Sequence, residues 1–339
     1  MPTHFHRRRT ALATALTAVA GLVALVLAGP AHATFPGRNG LIAFYSSTDQ
    51  GAQIFTVRPN GRDLRQITHV SGDASNVDWS PDGRRIAFNI ETPDSAQIAI
   101  MNADGSGLVT LPKAPGNIIE VDPSFTPDGR RLVFITNNGG DDAIWSMKLD
   151  GTDRRLIKTG GTSDPNVSPD GRRIAFLSFN GEPFGTALST SSIDGSEPLQ
   201  LTPFSFNVGF RLDWAPDGRQ LAFIHNVDLV IPSTSVNIAT IRPDGTGLRF
   251  VTHYRDQQVR ALFGSYSPDG RWIVFRVEAN GQFGLYKVHP DGTHLRPILG
   301  LSDFAPRFID WGASTQHGDD GPGDGDQDDG DRQDGESHR

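Results

Sequence analysis

A five-residue segment, Ser-Pro-Asp-Gly-Arg, recurs with small changes along this chain and limits its fold more than any other feature of the sequence. After one further residue, each copy is followed by an apolar triplet that ends in Phe. The copies with their triplets are Ser80–Phe88, Thr126–Phe134, Ser168–Phe176, Ala215–Phe223 and Ser267–Phe275. Their Asp residues lie 42 to 52 residues apart, which is about the length of one four-stranded blade of a β-propeller.

The recurring segment has the chemistry of a tight turn between two strands. Pro restricts its own φ to about −65°, and Gly at the fourth place accepts the left-handed conformation that other residues avoid. The triplet that follows, for example Ile86-Ala87-Phe88, does not alternate with polar residues, so we expect a central strand that is buried on both faces. Each copy therefore predicts the end of one strand, a hairpin turn and the start of a buried second strand.

A second turn signal, with Asp or Asn before Gly, recurs once in each unit and brings the number of units to six. The six turns contain Asn60-Gly61, Asp104-Gly105, Asp150-Gly151, Asp194-Gly195, Asp244-Gly245 and Asp291-Gly292. The full unit then has an inner strand, the Pro-Asp-Gly turn, a buried strand, a third strand, the Asp-Gly turn and a fourth strand. We therefore predict an all-β chain that forms a six-bladed β-propeller with four antiparallel strands in each blade.

The two ends of the repeat region contain incomplete units that fit each other. At the front, residues 41–44, 53–57 and 64–68 predict three strands without an inner one, whereas residues 307–311 predict an inner strand with nothing after it. We predict that this C-terminal strand joins the N-terminal blade and closes the ring, which removes the open sheet edges that favour aggregation. The propeller is expected to cover residues 34–312.

The composition excludes several classes of site. The chain contains no Cys, so it has no disulfide, thiolate metal site, Cys nucleophile or lipid-modified Cys. Its formal net charge of −8 argues against a surface that binds nucleic acid. A content of 38 Gly and 23 Pro among 339 residues agrees with a domain of short strands and many turns.

Residues 1–33 have the pattern of an export signal. Three arginines at positions 7–9 precede an apolar run at 11–29, and Ala31-His32-Ala33 has the small residues of a cleavage site. A membrane anchor is the alternative, but Thr and Gly interrupt the run and Gly-Pro ends it. Both the general secretory route and the twin-arginine route fit the arginines. We expect an exported protein that is secreted, periplasmic or associated with the cell envelope, with no membrane insertion after cleavage.

Residues 313–339 differ in composition from the rest of the chain. They contain nine acidic residues and two arginines, interspersed with Gly and with almost no apolar residue. Such a composition predicts a disordered acidic tail. Within it, Asp324–Gly330 resembles part of a Ca²⁺-binding loop, but Gly falls one place late and no Glu stands at the twelfth position. Diffuse attraction of cations is the alternative to a defined site.

Several segments together resemble a known family. They are the repeated Ser-Pro-Asp-Gly-Arg with Ile-Ala-Phe, the opening segment Pro36–Phe44, and the strand ends Gln66-Ile67-Thr68, Gln200-Leu201-Thr202 and Phe250-Val251-Thr252. The region from about residue 36 to residue 312 is similar to the TolB-type, WD-repeat-like β-propeller family. The resemblance implies a six-bladed propeller, an exported location and a role in protein association at the cell envelope.

An enzymatic function is the alternative to a binding function. The chain has no Gly-x-Ser-x-Gly motif of an α/β-hydrolase, which similar propellers in the prolyl oligopeptidase family carry as a fused domain. Some TolB-like propellers resemble pectin-fragment lyases that hold a divalent metal with several His. His69, His225 and His253 are the candidates on one face of the ring, since His289 and His294 flank a turn on the opposite face. A metal-assisted polysaccharide lyase or hydrolase therefore stays open, beside the interpretation that these are surface histidines.

The inner strands carry a second candidate site, at the two positions before each Pro-Asp-Gly turn. The bulky position holds Trp79, Phe125, Val167, Trp214, Tyr266 and Trp311, and the preceding position holds Asp78, Ser124, Asn166, Asp213, Ser265 and Asp310. Because neighbouring strand residues face opposite ways, the polar set is expected to surround the central channel. Asp78, Asp213 and Asp310 then form a candidate Ca²⁺ site, with ordered water or simple capping of the adjacent turns as alternatives.

Long loops between blades predict a partner-binding surface. The longest such segment contains Tyr254, Arg255, Asp256 and Arg260, and Tyr and Arg are frequent anchors at interfaces. A solvated loop is the alternative. We expect a non-catalytic protein-interaction or ligand-binding module whose partner is an envelope or extracellular protein or a glycan, with no cofactor other than Ca²⁺ in the channel.

Overall fold

In the computed structural model, the described residues are 35–115, 119–137, 142–181, 185–225, 236–255 and 258–315. The predicted export signal and the acidic tail from residue 316 onward lie outside these ranges. Asp256, one of the predicted partner-binding residues, also lies outside them. Within the described ranges, no helix has the length and apolar character needed to cross a membrane.

Twenty-four β-strands and one short 3₁₀ helix, Phe204–Phe206, make up the regular structure of the described residues. The first twelve strands are β1 (Asn39–Thr48), β2 (Gly51–Val57), β3 (Arg65–Gln66), β4 (Asp73–Trp79), β5 (Arg85–Thr92), β6 (Ser95–Asn102), β7 (Val109–Thr110), β8 (Ile119–Phe125), β9 (Arg131–Asn137), β10 (Ala143–Lys148), β11 (Arg155–Thr159) and β12 (Thr162–Val167). The remaining strands are β13 (Arg173–Asn180), β14 (Gly185–Ser192), β15 (Leu199–Gln200), β16 (Gly209–Trp214), β17 (Leu221–His225), β18 (Asn237–Ile241), β19 (Arg249–Phe250), β20 (Val259–Tyr266), β21 (Ile273–Ala279), β22 (Gln282–Val288), β23 (Arg296–Ser302) and β24 (Arg307–Ala313).

The strands form six four-stranded sheets, and each sheet is one blade of the propeller. Blade 1 has the order β24-β1-β2-β3, and blades 2 to 6 each take four consecutive strands, from β4 to β23. In blade 1, β24 pairs antiparallel with β1, with Ile42 opposite Trp311 and Ala43 opposite Asp310. The predicted six-bladed fold and its closure by the C-terminal strand are therefore confirmed.

The Pro-Asp-Gly turns hold their shape with their own side chains, as the turn of blade 2 shows. The N–H of Gly83, whose φ is 64°, donates to the carbonyl of Ser80 at 2.8 Å. Ser80 Oγ donates to Asp82 Oδ1 at 2.6 Å and accepts the N–H of Arg85 at 2.9 Å. Blades 3, 4 and 6 repeat these side-chain bonds. The side chains of the recurring turn segment thus accept hydrogen bonds from backbone N–H groups that have no partner in the strand ladder.

A Thr after the fourth strand explains a second recurring sequence signal. Four of the fourth strands are only two residues long, and in the blades of β3, β15 and β19 a Thr stands two residues after the strand. In each of these blades, the Thr hydroxyl oxygen accepts a backbone N–H of the third strand: Thr68 from Ile54 (2.8 Å), Thr202 from Leu188 (3.0 Å) and Thr252 from Ile238 (3.0 Å). The hydroxyl therefore replaces a ladder bond that the short strand does not supply.

The core lies between neighbouring blades. The second strands are buried on both faces, as predicted from the sequence, and Ile86–Ile90 of β5 is one example. One cluster joins Ala43 and Ile54 of blade 1 to Trp79 and Phe88 of blade 2. Burying one such Ile or Phe side chain contributes about 1.5–3 kcal/mol. Contacts between blades are therefore the main source of stability in a chain without disulfides.

Candidate functional site

The inner strand of every blade bends at the same place, and the bend decides which side chains reach the central channel. Each pairing of an inner strand with its second strand contains a register shift. One non-glycine residue in each shift has a positive φ: Asn76 (53°), Asp122 (54°), Asp164 (52°), Arg211 (78°), Phe263 (61°) and Phe308 (47°). Such backbone strain costs about 1–3 kcal/mol per residue and concentrates at functional sites. These six residues, the bulge ring, frame the candidate site.

The bulge ring divides the channel by chemistry. Going around the ring from blade 2 to blade 1, its members are Asn76, Asp122, Asp164, Arg211, Phe263 and Phe308. The polar members of blades 2, 3 and 4 thus stand across the axis from the members of blades 5, 6 and 1. We use the name mouth face for the side of the ring on which the inner strands begin. We use the name turn face for the opposite side, which carries the Asp-Gly turns. A ligand that enters at the mouth face meets carboxylates on one side and aromatic rings on the other.

Arg211 crosses the channel from blade 5 toward blades 1 and 2. It is only 5% exposed; Nε donates to Ile309 O and Nη1 to Val77 O, each at 3.0 Å. Nη2 lies 2.9 Å from Oδ1 of Asp310. Burial alone lowers the pKa of Arg211, but the surrounding carboxylates, Asp310 and Asp78 foremost, outweigh burial and hold that pKa above its ordinary value. The guanidinium is therefore a fixed positive charge inside the channel.

Five of the six polar residues predicted to face the channel link their own inner strand to the inner strand of the next blade. Their side-chain oxygens accept backbone N–H groups of the following blade: Asp78 from Phe125 (2.8 Å), Ser124 from Val167 (3.4 Å), Asp213 from Tyr266 (2.6 Å), Ser265 from Trp311 (3.3 Å) and Asp310 from Trp79 (2.7 Å). The sixth member, Asn166, lines the channel, and its Oδ1 has no hydrogen-bond partner in the described part of the chain. These bonds run between blades, so the alternative that the side chains cap their own turns does not describe them.

The structure brings Asp78, Asp213 and Asp310, the predicted Ca²⁺ ligands, to one cavity of the channel. Among the described residues, no three His, Cys, Asp or Glu side chains are grouped in a way that could hold a metal ion. Burial, and next the charge of Asp310, raise the pKa of Asp78 well above its usual range. Arg211 already supplies positive charge to these carboxylates. The Ca²⁺ site therefore stays a prediction, with Arg211 as the competing cation.

The histidines considered for a catalytic metal do not come together in the described residues. The ring of His225 lies edge-on to Phe206 and Phe250, with centroid distances of 4.9 and 5.0 Å, and burial lowers the pKa of His225. His69 and His253 are exposed, at the ends of blades 1 and 5. A metal site built from these three side chains is therefore not formed.

The predicted partner-binding segment lies on the mouth face between blades 5 and 6. Asn237 holds its backbone, because Oδ1 accepts the N–H of Tyr254 at 2.8 Å and Nδ2 donates to the Tyr254 carbonyl at 3.1 Å. Arg255 is exposed, and the side chain of Arg260 is 35% exposed. Asp256 lies outside the described residues. The role of this segment in binding stays a prediction.

Beside this segment is an aromatic cluster that sequence reasoning missed. The rings of Tyr45, Phe308 and Phe263 stack in a row, with centroid distances of 5.7 and 5.0 Å. The guanidinium of Arg276 lies 5.2 Å from the centre of the Phe263 ring, and the residue is only 5% exposed. An alignment of the inner strands contained the signal: both Phe residues stand two positions before the polar channel residue of their blade, where the other blades carry polar side chains.

Known proteins share this architecture. A family model described as the TolB beta propeller domain matches residues 34–228, more than half of the chain. The chain belongs to the TolB β-propeller family. The resemblance noted from the repeated turns is thereby confirmed, and the TolB-type repeat accounts for the Pro-Asp-Gly turns and the buried second strands.

Individual TolB proteins match shorter segments. The Tol-Pal system protein TolB of Nitratidesulfovibrio vulgaris is 30% identical over 103 residues, which are 30% of this chain and 23% of that protein. The Tol-Pal system protein TolB of Bordetella pertussis is 39% identical over 59 residues, 17% of this chain and 13% of that protein. The matches thus span less than a quarter of these curated relatives.

Among solved structures, TolB from Acinetobacter baumannii superposes with a TM-score of 0.68 at 18% identity. The superposition covers 83% of this chain and 68% of that chain. At this identity the likeness shows the shared fold.

Proposed function

We propose that this TolB-type propeller is exported and binds a protein of the cell envelope through its mouth face, without catalysing a reaction. The observation that carries the proposal is the bulge ring, because it brings carboxylates and aromatic rings from different blades together around the channel. The TolB relatives are named as components of the Tol-Pal system, which supports association with envelope proteins.

The mouth face also has the side chains that serve as anchors in protein interfaces. Tyr45, Phe263 and Phe308 keep part of their surface exposed, as does Arg260, and interfaces are enriched in aromatic residues and Arg. On the turn face, by contrast, the Asp side chains are engaged within their own turns: one oxygen of Asp104 accepts both the N–H and the hydroxyl of Ser106. Loops at the mouth of a rigid ring are therefore the better binding surface.

A capture experiment tests the proposal. The mature chain is immobilised and incubated with envelope extract, and bound proteins are compared for wild type, a Tyr254→Ala/Arg260→Glu variant and an Arg219→Glu control. Arg219 is on the turn face with its side chain 85% exposed, so its substitution changes charge without touching the mouth face. We expect one protein to be captured by wild type and by the control, and to be reduced at least tenfold by the mouth-face variant.

Two results contradict the proposal. Capture that is equal for all three proteins places the interaction elsewhere, and capture lost only with Arg219→Glu assigns it to the turn face. Export is tested separately: fractionation of cells that express the full chain should recover a protein outside the cytoplasm whose N-terminus is Thr34. An intact N-terminus in the cytoplasm contradicts export.

A further inference from the structure

A small cavity opens within the carboxylate side of the bulge ring. Asn76, Asp122, Asp164, Asn166 and Phe308 are among its lining residues, and it has about 10 Å³ of room for the centre of a water-sized group. Asn76, Asp122 and Phe308 keep partial exposure, whereas Asp164 and Asn166 are buried. The cavity is therefore reached from the mouth face and closes toward the middle of the channel.

The walls of this cavity offer several acceptors and one cation, Arg211, which forms no ion pair with Asp122. Asp122 accepts from the Asn76 amide and, at 3.4 Å, from the hydroxyl of Ser163, and no described Lys or Arg forms an ion pair with it. Asn166 is 7% exposed, and its Oδ1 has no partner in the described part of the chain. Asp164 Oδ2 accepts only backbone N–H groups, those of Arg211 and Leu212. A compact group with several donors complements these acceptors.

Arg211 lines this cavity, but its donors point to other acceptors. The Nε and Nη1 donors of Arg211 go to Ile309 and Val77, and Nη2 lies against Asp310. Burial, followed by the neighbouring Asp164 carboxyl, raises the pKa of Asp122 to about 7. That shift agrees with two neighbouring carboxyl groups of which only Asp164 has the charge of Arg211 among the leading influences on its pKa.

We propose that this cavity receives the ammonium group of a lysine side chain from the envelope partner. The ammonium has three donors and no acceptor, which complements the oxygens of Asp122, Asp164 and Asn166. Phe308 offers an apolar surface to the methylene stem of the lysine. A guanidinium is larger than a water-sized group, so the cavity selects Lys over Arg. The inference rests on the proposed function, because it names the partner group that the mouth face takes.

Binding of small probes to the full mature chain tests the inference. N-acetyl-lysine amide is titrated at about pH 8 by calorimetry and by NMR, beside N-acetyl-norleucine amide and N-acetyl-arginine amide at the same concentration. We expect saturable binding of the lysine probe alone. At about pH 5.5 the affinity should fall at least fivefold in wild type, because protonation of Asp122 removes the negative charge that attracts the ammonium.

Matched variants locate the site. Asp122→Asn and Asp164→Asn are each expected to weaken the lysine probe at least tenfold, whereas Asp94→Asn, which removes an exposed carboxylate from the mouth face outside the cavity, should leave it unchanged. If one cavity variant fails to fold, the other variant and the pH series on wild type still test whether the lysine probe binds in this cavity. Three results overturn the inference. The lysine probe shows no saturable binding, the norleucine probe binds equally well, or the same concentration of K⁺ displaces the lysine probe.

Partner capture separates this inference from the proposed function. If Asp122→Asn loses the lysine probe and also the captured envelope protein, both hold. If the captured protein is retained undiminished by Asp122→Asn, the envelope interaction stands and the lysine site is refuted as its anchor. If the lysine probe binds as expected but nothing is captured from the envelope, the cavity chemistry stands and the proposed function fails.

Discussion

The backbone N–H of Trp79 donates a 2.7 Å hydrogen bond to the carboxylate of Asp310, which lies 231 residues further along the chain. The bond joins the inner strand of blade 2 to the closing strand of blade 1. Trp311, the next residue, donates from Nε1 to the carbonyl of Gly40 at 3.3 Å. The two ends of the ring are thus joined by contacts between segments more than 200 residues apart, and bringing such segments together carries a loop-closure entropy.

Removal of the closing strand should abolish the ring. A chain that ends at Ala305 lacks β24, exposes β1 as an open edge and removes Trp311 from the core between blades 6 and 1. We expect aggregation or loss of the cooperative unfolding transition, measured by circular dichroism and light scattering. A chain that ends at Thr315 keeps β24 and is the control. Normal melting of the shorter chain would show that closure is dispensable.

A single methyl group in the closing strand tests the same contact more gently. A Cβ at Gly312 would lie 2.5 Å from Cδ2 of the Trp79 ring, whereas a Cβ at Gly300 meets nothing within 4 Å. Gly312→Ala should therefore lower the free energy of unfolding by about 1–3 kcal/mol through overpacking. Gly300→Ala should change it by less than about 0.5 kcal/mol. Urea denaturation measures both, and equal values for the two variants contradict the close packing of Gly312 against Trp79.

The carboxyl of Asp78 should be replaceable by an amide but not by an apolar side chain. Asn keeps an oxygen for the N–H of Phe125 and removes the charge that burial and Asp310 disfavour. We expect Asp78→Asn to lie within about 1 kcal/mol of wild type and Asp78→Leu to cost about 1–3 kcal/mol, because the buried N–H loses its acceptor. Denaturation at about pH 7 compares the two variants. A greater loss for Asn than for Leu speaks against the bond between blades.

Arg211 should be required for stability and should compete with Ca²⁺. Arg211→Met leaves Asp310 and its neighbours without their cation, and removing one partner of a buried ion pair costs about 3–5 kcal/mol. We expect Ca²⁺ to raise the melting temperature of this variant more than that of wild type, with Arg219→Met as the exposed control. An equal rise in wild type and Arg211→Met refutes the competition. No rise in either protein removes the predicted Ca²⁺ site.

The stability of the ring should fall as pH rises toward neutrality. The pKa of Asp122 is raised from 3.8 to about 7, so between these values the folded chain binds more protons at this carboxyl than the unfolded chain. The free energy of unfolding therefore decreases as pH rises through this window. Because Asp122 keeps partial exposure, we expect the decrease to be about 1–3 kcal/mol.

Asp122→Asn provides the comparison for this pH effect. The variant cannot take up the proton, so its profile should be flatter over the same window, and it should be at least as stable as wild type above about pH 7. The exposed control Asp94→Asn should keep the wild-type profile. Parallel profiles for Asp122→Asn and wild type contradict the raised pKa.

Local chemistry was enough to predict the architecture. Gly83 takes a left-handed φ, Ser80 and Asp82 bond their own turn, and this pattern returns at a regular spacing. Turns and strands buried on both faces depend on residues that are close together in the chain, so both can be predicted from the sequence. The unpaired strand at 307–311 was enough to predict closure, because an isolated inner strand has only one sheet edge to join.

The partners of the channel residues depended on the tertiary structure. Asp78 was expected at the channel. Its hydrogen bond to Phe125, however, joins two blades and two residues that are 47 positions apart in the chain. Nothing near Arg211 in the sequence shows that its guanidinium crosses the axis to Val77 and Ile309. The sequence alone determined the number and order of the blades, because these follow from short-range turn geometry, and it determined their closure because the incomplete units at the two ends fit each other. The contents of the channel were decided only by the tertiary structure, because a bulge in each inner strand re-aims side chains that come together from different blades.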